Sequence, residues 1–350
     1  MVRSKSMFSE HPAQILALIR SGFPIEIGAP RHSVIKENRL ALSATPIILG
    51  FAAIYLIWGS TYLGIRYAVE TIPPLLMMSI RHLTAGVLVY VWARTRGAQK
   101  PTLKEWSHAA IAGGLLFLGS HGTLAWAEMQ VPSGLAALLC ATLPLWTVLI
   151  ARADGTERSL NAKAIAGILL GFGGVALLIG PDLLGEKLNW LAAATVLFGS
   201  LSWAMGTAYT RKASLPSSKV LSAAMQMISG GTLLLIAGGI SGERVHWSDI
   251  TLRSTLALAY LIVFGSIVAF TVYTWLVAVS SPSMLSTYAY VNPVVAVFLG
   301  WMLAGETLSL RVVAATGVIL AGVALVSRRQ KAARKIEPRF EPEVCEVAAD

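Results

Sequence analysis

The chain has 350 residues, of which 55% are hydrophobic and 13% charged, with a formal net charge of +10 and a mean hydropathy of +0.66. Soluble domains carry about 25% charged residues, so the composition excludes an ordinary soluble fold and indicates an all-α integral membrane protein. The Lys and Arg excess is no sign of nucleic-acid binding, because it falls in short clusters between apolar runs, where it flanks membrane spans.

Residues 1–45 mix charge and proline with apolar pieces such as Ile15–Ile19, too short to span. They are expected to form a cytoplasmic extension with at most a short interfacial helix. No cleaved signal is expected there, and Met7 is an alternative start. Ten apolar segments follow, at 46–68, 74–94, 107–128, 132–152, 161–180, 188–211, 218–240, 251–277, 282–303 and 309–327. About 20 residues of helix cross a hydrocarbon core of about 30 Å, so each is of near-spanning length. The runs are continuously apolar, which excludes a closed barrel with its period-two alternation.

With the N-terminus inside, 22 Lys and Arg residues fall on the inner side and five on the outer: Arg66, Lys187, Arg244, Arg253 and Arg311. The split places both termini in the cytoplasm. The remaining cation, Arg81, lies within segment two, where an arginine costs roughly 2.5–3.5 kcal/mol on insertion scales unless it faces protein or water.

The ten segments form two related sets of five. Trp58, Arg66, Arg81 and Gly86 return as Trp203, Arg211, Gln226 and Gly231, all 145 positions later. Gly119-Ser120 returns as Gly265-Ser266, Pro144 as Pro293, Glu157 as Glu306, and GGVALL from Gly173 as AGVALV from Ala321. Because five is odd, the second set must enter the membrane from the opposite side. The expectation is therefore two inverted five-helix repeats, at 46–180 and 188–327, with a basic cytoplasmic tail at 328–350. Such halves suit alternating access to a central site.

Three stretches make the resemblance specific. They are IWGSTYLGIRYAVETIPPLLMMSIRHLTAG from Ile57, VPSGLAALLCATLPLW from Val131 and STYAYVNPVVAVFLGWMLAGETLS from Ser286. Over residues 46–327 the chain resembles the EamA-type proteins of the drug/metabolite transporter superfamily. The resemblance implies a ten-helix bundle in a bacterial inner membrane that exports or exchanges amino acids, other metabolites or toxic compounds.

Candidate cavity residues follow from helical spacing. Tyr55, Trp58, Tyr62 and Arg66 share one face of segment one, and Trp203 echoes Trp58 in segment six. Arg81 and His121 each lie seven residues inside an outer helix end and so share a level, where a guanidinium suits a carboxylate or phosphate. Arg81 has an equally good reading as a brace, through carbonyls and a loop carboxylate such as Glu70. His82 is rotated about 100° from Arg81 and is expected to pack or reach the interface. Gln226 is a neutral counterpart of Arg81, and Trp126 completes the aromatic candidates. Tyr288 and Asn292 share a face before Pro293, which frees the carbonyl of Ala289; Pro144 repeats the device next to Trp146. Both prolines are hinge candidates. Gly167, Gly171 and Gly174 form a small-residue packing face.

Cys140 and Cys345 are read as bystanders without a disulfide. No Asp or Glu is placed in mid-membrane, so a proton-coupled mechanism would have to use His121 or Glu128, the latter read as a solvated or capping carboxylate at a helix end. Scattered histidines (His11, His32, His82, His108, His121, His246) and the lack of a GxxxxGK[ST] loop argue against a metal-dependent enzyme and a nucleotide-driven pump. The alternatives are an integral-membrane enzyme or a non-transporting scaffold. No cofactor or metal is expected; the partners are a small-molecule substrate and the bilayer, and the protein is expected to be a monomer or homodimer.

Overall fold

The computed structural model describes residues 44–131, 133–155, 162–185 and 189–304, with the short pieces 310–311, 313–318, 321–322 and 325. The N-terminal extension up to residue 43, the basic tail, Cys345, Glu157 and Glu306 lie outside the described residues. Among those described, every regular element is helical. In chain order these are α1 (Ala44–Ala68), α2 (Pro74–Thr95), α3 (Leu103–Glu128), α4 (Ser133–Cys140), α5 (Leu143–Ala153), α6 (Ala162–Gly185), α7 (Trp190–Lys212), α8 (Lys219–Ile240), α9 (Leu252–Val279), α10 (Pro282–Leu285) and α11 (Tyr288–Ala304). Six of them, α1, α2, α3, α7, α8 and α9, are long and apolar enough to cross a membrane.

The helix starts are written locally. Thr102 and Glu105 form a capping box on α3, while Asn189, Ser218 and Thr251 cap α7, α8 and α9 through side-chain oxygens. Each satisfies a backbone donor that the first turn leaves open. α2 is different. It opens on Pro73 and Pro74, and its first free amides, Leu75 N and Leu76 N, donate to the Glu243 carboxylate from the distant α8–α9 connection at 3.2 and 2.9 Å. Glu70 does not brace Arg81: its carboxylate lies 3.6 Å from Arg253.

Segments four and nine are each broken in two. Pro144 sits in the first turn of α5, and lacking an N–H it cannot close the bond to Cys140 O that would fuse α4 with α5. The Ser200 hydroxyl takes that carbonyl instead, at 3.3 Å. Pro293 lies inside α11, so the break between α10 and α11 falls earlier, at Ser286–Thr287.

Segments three and eight carry a second matched irregularity. Their middles are π-helical, Gly114–Gly122 in α3 and Leu261–Val268 in α9, and each contains its copy of the Gly-Ser pair. A π turn shifts the ladder from i+4 to i+5 and leaves a carbonyl without its ordinary partner. In α9 the Ala269 amide passes over Gly265 O to Phe264 O, and Trp58 Nε1 donates to Gly265 O at 3.0 Å. In α3 the equivalent Gly119 O accepts from the Thr123 hydroxyl at 2.9 Å.

The two sets of helices interlock. α2 packs along α8 at the centre, α1 packs on α9 and α11 from the second set, and α7 packs on α3, α4 and α5 from the first. At the centre the backbones approach so closely that only glycine fits at Gly86 and Gly231. Gly167 and Gly171 of α6 likewise meet Gly322 with backbone 2.7–2.8 Å from the site of a Cβ, a close small-residue contact.

Candidate functional site

The interlocking leaves a cavity of about 60 Å³ between the two sets. That is room for about two water molecules, at about 30 Å³ each in the liquid, and well below the roughly 300–1,000 Å³ of an open ligand pocket. Its wall combines Trp58, Thr61, Tyr62, Ile65, Arg81, Ser120, His121, Leu124, Cys140 and Leu143 of the first set with Ser200, Trp203, Tyr288, Ala289 and Asn292 of the second.

Both proline devices open onto this wall. Cys140 precedes Pro144 by four residues and Ala289 precedes Pro293 by four, and both line the cavity. A proline N–H is missing from the ladder at each place; the Cys140 carbonyl accepts from Ser200 instead.

Arg81 is only 2% exposed. Its Nε donates to the Ser266 hydroxyl at 2.8 Å, in the π segment of α9, and Nη1 reaches Met78 Sδ at 3.8 Å. Nη2 lies 2.8 Å from where a Cβ on Gly265 would stand, so that glycine gives the guanidinium its space. The buried cation is thus held by a neutral hydroxyl. His121, on the same wall, stacks on Trp203 with centroids 4.9 Å apart, and its Nδ1 meets His82 Nε2 at 3.0 Å. His82 is buried behind it against Phe117, centroids 4.2 Å apart. Of its two expected fates, His82 packs.

On the side of the cavity away from the α1–α2 connection, wall aromatics and Tyr273 form a continuous layer. Trp58 lies 4.9 Å from both Tyr273 and Tyr288 and 5.6 Å from Trp203, ring centre to ring centre. The Tyr273 hydroxyl accepts from Trp203 Nε1 at 3.1 Å and shares a 2.6 Å hydrogen bond with Thr207.

Seven of the residues singled out from sequence line the cavity together: Trp58, Tyr62, Arg81, His121, Trp203, Tyr288 and Asn292. Three others stand elsewhere. The Tyr55 hydroxyl bonds Thr287 at 2.7 Å, Trp126 packs half-buried on the core, and Gln226 is buried on α8 with its amide on Ser222 at 3.0 Å. Cys140, read as a bystander without a disulfide, is a free thiol placed in the wall. One reading is corrected. Glu128, read as a solvated or capping carboxylate, is 1% exposed, and neither of its oxygens has a hydrogen-bond partner among the described residues. Burial there comes from α1, α2, α4 and α7 packing over the last turn of α3, which no local pattern announces.

Comparison with known proteins identifies the family. The EamA-like transporter family matches at residues 45–180 and again at 190–328. The chain is 41% identical to the uncharacterized inner membrane transporter YedA of Escherichia coli K12, covering 81% of this chain and 90% of that one. It is 26% identical to the uncharacterized transporter YvbV of Bacillus subtilis, covering 84% and 95%. A solved crystal structure shares the fold with a TM-score of 0.67 at 21% identity, over 84% of this chain and 99% of the other.

Proposed function

Because the chain belongs to the EamA-like transporter family, we propose that it carries small organic solutes across the bacterial inner membrane by alternating access, with the cavity at Trp58, Arg81, His121 and Asn292 as its binding site. The observation that carries this reading is the shared wall. Both sets of helices build it, and paired residues, Trp58 with Trp203 and the residues four before Pro144 and Pro293, line it together. A site held between two similar halves opens to one side or the other as the halves exchange conformations.

In this reading the ten segments form inverted repeats with both termini cytoplasmic, and export or exchange is the direction. The cavity then lies in the outer half of the membrane, and the layer of Trp58, Trp203, Tyr273 and Tyr288 closes its inner side. At about 60 Å³ it is contracted, and a metabolite enters when the halves move apart, with Pro144 and Pro293 as flexible points. The cargo carries an apolar body for the indoles and an anionic or zwitterionic group for Arg81 and His121.

Metabolite profiling of cells and medium, with the gene deleted and overexpressed, tests the proposal. A small solute shifting between the two compartments in opposite directions in the two strains is expected. Identical profiles in both strains, with the protein present in the membrane, would contradict it.

A further inference from the structure

Glu128 is a buried acid for which the site as described has no use. It follows Leu124, a wall residue, by one helical turn on the same face of α3. Both carboxyl oxygens lack a hydrogen-bond partner among the described residues. Leaving an ionised carboxylate this buried and unpaired is costly, so such a group either carries a proton or finds a counter-charge.

The groups facing it define the choice. From α1 come Tyr62 and Arg66, from α2 Arg81, and from α4 Cys140, all near enough to feel its charge; α7, also packed there, has no titratable residue from Trp190 to Thr207. On its own helix the next titratable group inward is His121. Arg81 is the complementary oddity, a buried guanidinium whose hydrogen-bonded oxygen is the neutral Ser266 hydroxyl. A buried cation in the cavity wall and a buried acid one helical turn beyond that wall are thus each held without the other.

We propose that Glu128 is a proton-binding group that competes with the cargo for Arg81. With its proton on, Glu128 is neutral and leaves the guanidinium to an anionic group in the cavity. With the proton released to cavity water, the carboxylate becomes the counter-ion of Arg81 and disfavours the anion. Proton and anion therefore bind cooperatively, and their movements are coupled in the same sense across the membrane. The inference rests on the reading of the cavity as a transport site, but the proton-binding step is measurable without any cargo.

The test is infrared difference spectroscopy of the full chain in liposomes across a pH titration, reading the carbonyl stretch of protonated carboxyl groups. Wild type and Glu105→Gln, which alters an exposed capping residue, are expected to show a band that disappears on raising the pH. Glu128→Gln is expected to lose it, and in Arg81→Gln it is expected to persist to more alkaline pH. If Glu128→Gln does not fold, Glu128→Asp replaces it and is expected to shift the band. Superimposable spectra for wild type and the Glu128 variant would overturn the proposal. A band lost in Glu128→Gln but unmoved in Arg81→Gln would overturn the competition for Arg81. Failure of every transport assay beside a titrating Glu128 band would refute the transport reading and leave the proton site standing.

Discussion

Gly86 and Gly231 make the same contact from opposite sides: a Cβ on Gly86 would lie 2.9 Å from the amide nitrogen of Ile228, and one on Gly231 would lie 2.9 Å from that of Leu83. Both the glycines and their neighbours are 145 positions apart, so the α2–α8 crossing is locally two-fold symmetric. Gly86→Ala and Gly231→Ala are expected to destabilise by similar amounts, about 1–3 kcal/mol, since the neighbouring backbone cannot yield without separating the helices. Thermal unfolding of the two variants in detergent checks this; a full loss at one glycine and none at the other would deny the symmetry.

The Glu243 carboxylate holds the start of α2 from a connection more than 160 residues away in sequence. Glu243→Ala should lower stability by about 1 kcal/mol, the usual worth of a cap strengthened by the helix dipole. Glu243→Gln, which keeps one acceptor oxygen, should lose less. Melting temperatures of the three proteins at one ionic strength decide it.

Ser266 supplies the hydroxyl that accepts from Arg81. Ser266→Ala should cost about 1.5–3 kcal/mol, as for a hydrogen bond to a charged group. The counterpart Ser120 has no such charged partner among the described residues, and Ser120→Ala should cost clearly less than Ser266→Ala. Arg81→Lys should not substitute for the guanidinium, whose planar fork places Nε on Ser266 while Nη2 faces the space left by Gly265. Denaturation of the purified variants measures all three.

The cavity wall predicts a pattern of water access. In a Cys140→Ser, Cys345→Ser background, single cysteines at Ser200 and Asn292 should react with small thiol reagents at rates that change with cargo. Cysteine at Gln226, buried on α8 away from the wall, should stay unreactive. Equal rates at all three positions would remove the case for a shared aqueous cavity.

Much of this arrangement is legible in sequence, because a bilayer demands apolar runs of near-fixed length and a duplicated chain marks its special residues twice. Among the described residues, the first nine segments fall on helices, the fourth and ninth on two each, and the paired tryptophans, glycines and prolines identify the crossing and much of the wall. The remainder is hidden for particular reasons. Cys140, Thr61, Ser120 and Ser200 are small and commonplace, and they line the cavity only because four separate helices bring them there. Glu128 stands at a helix end by sequence and is buried by what packs over it. The π turns at Gly119 and Gly265 are changes of hydrogen-bond register, signalled only by a repeated Gly-Ser pair, yet they free the carbonyl that holds Trp58. Repeat partners also diverge where the site forms: Gln226 replaces Arg81 and turns to Ser222, so symmetry alone over-predicts the cavity.

In the proposed cycle a cavity shared by the two halves carries a solute across the membrane. Counterflow in proteoliposomes, using the solute that profiling identifies, addresses it most directly. Wild type and Trp106→Phe, whose ring packs on Tyr90 away from the site, should both show saturable flux accelerated by the same solute on the far side. Asn292→Leu and Trp203→Ala, folded and inserted, should reduce that flux at least tenfold. Trans-accelerated flux unchanged in both cavity variants, or no flux above protein-free liposomes in wild type, would contradict it.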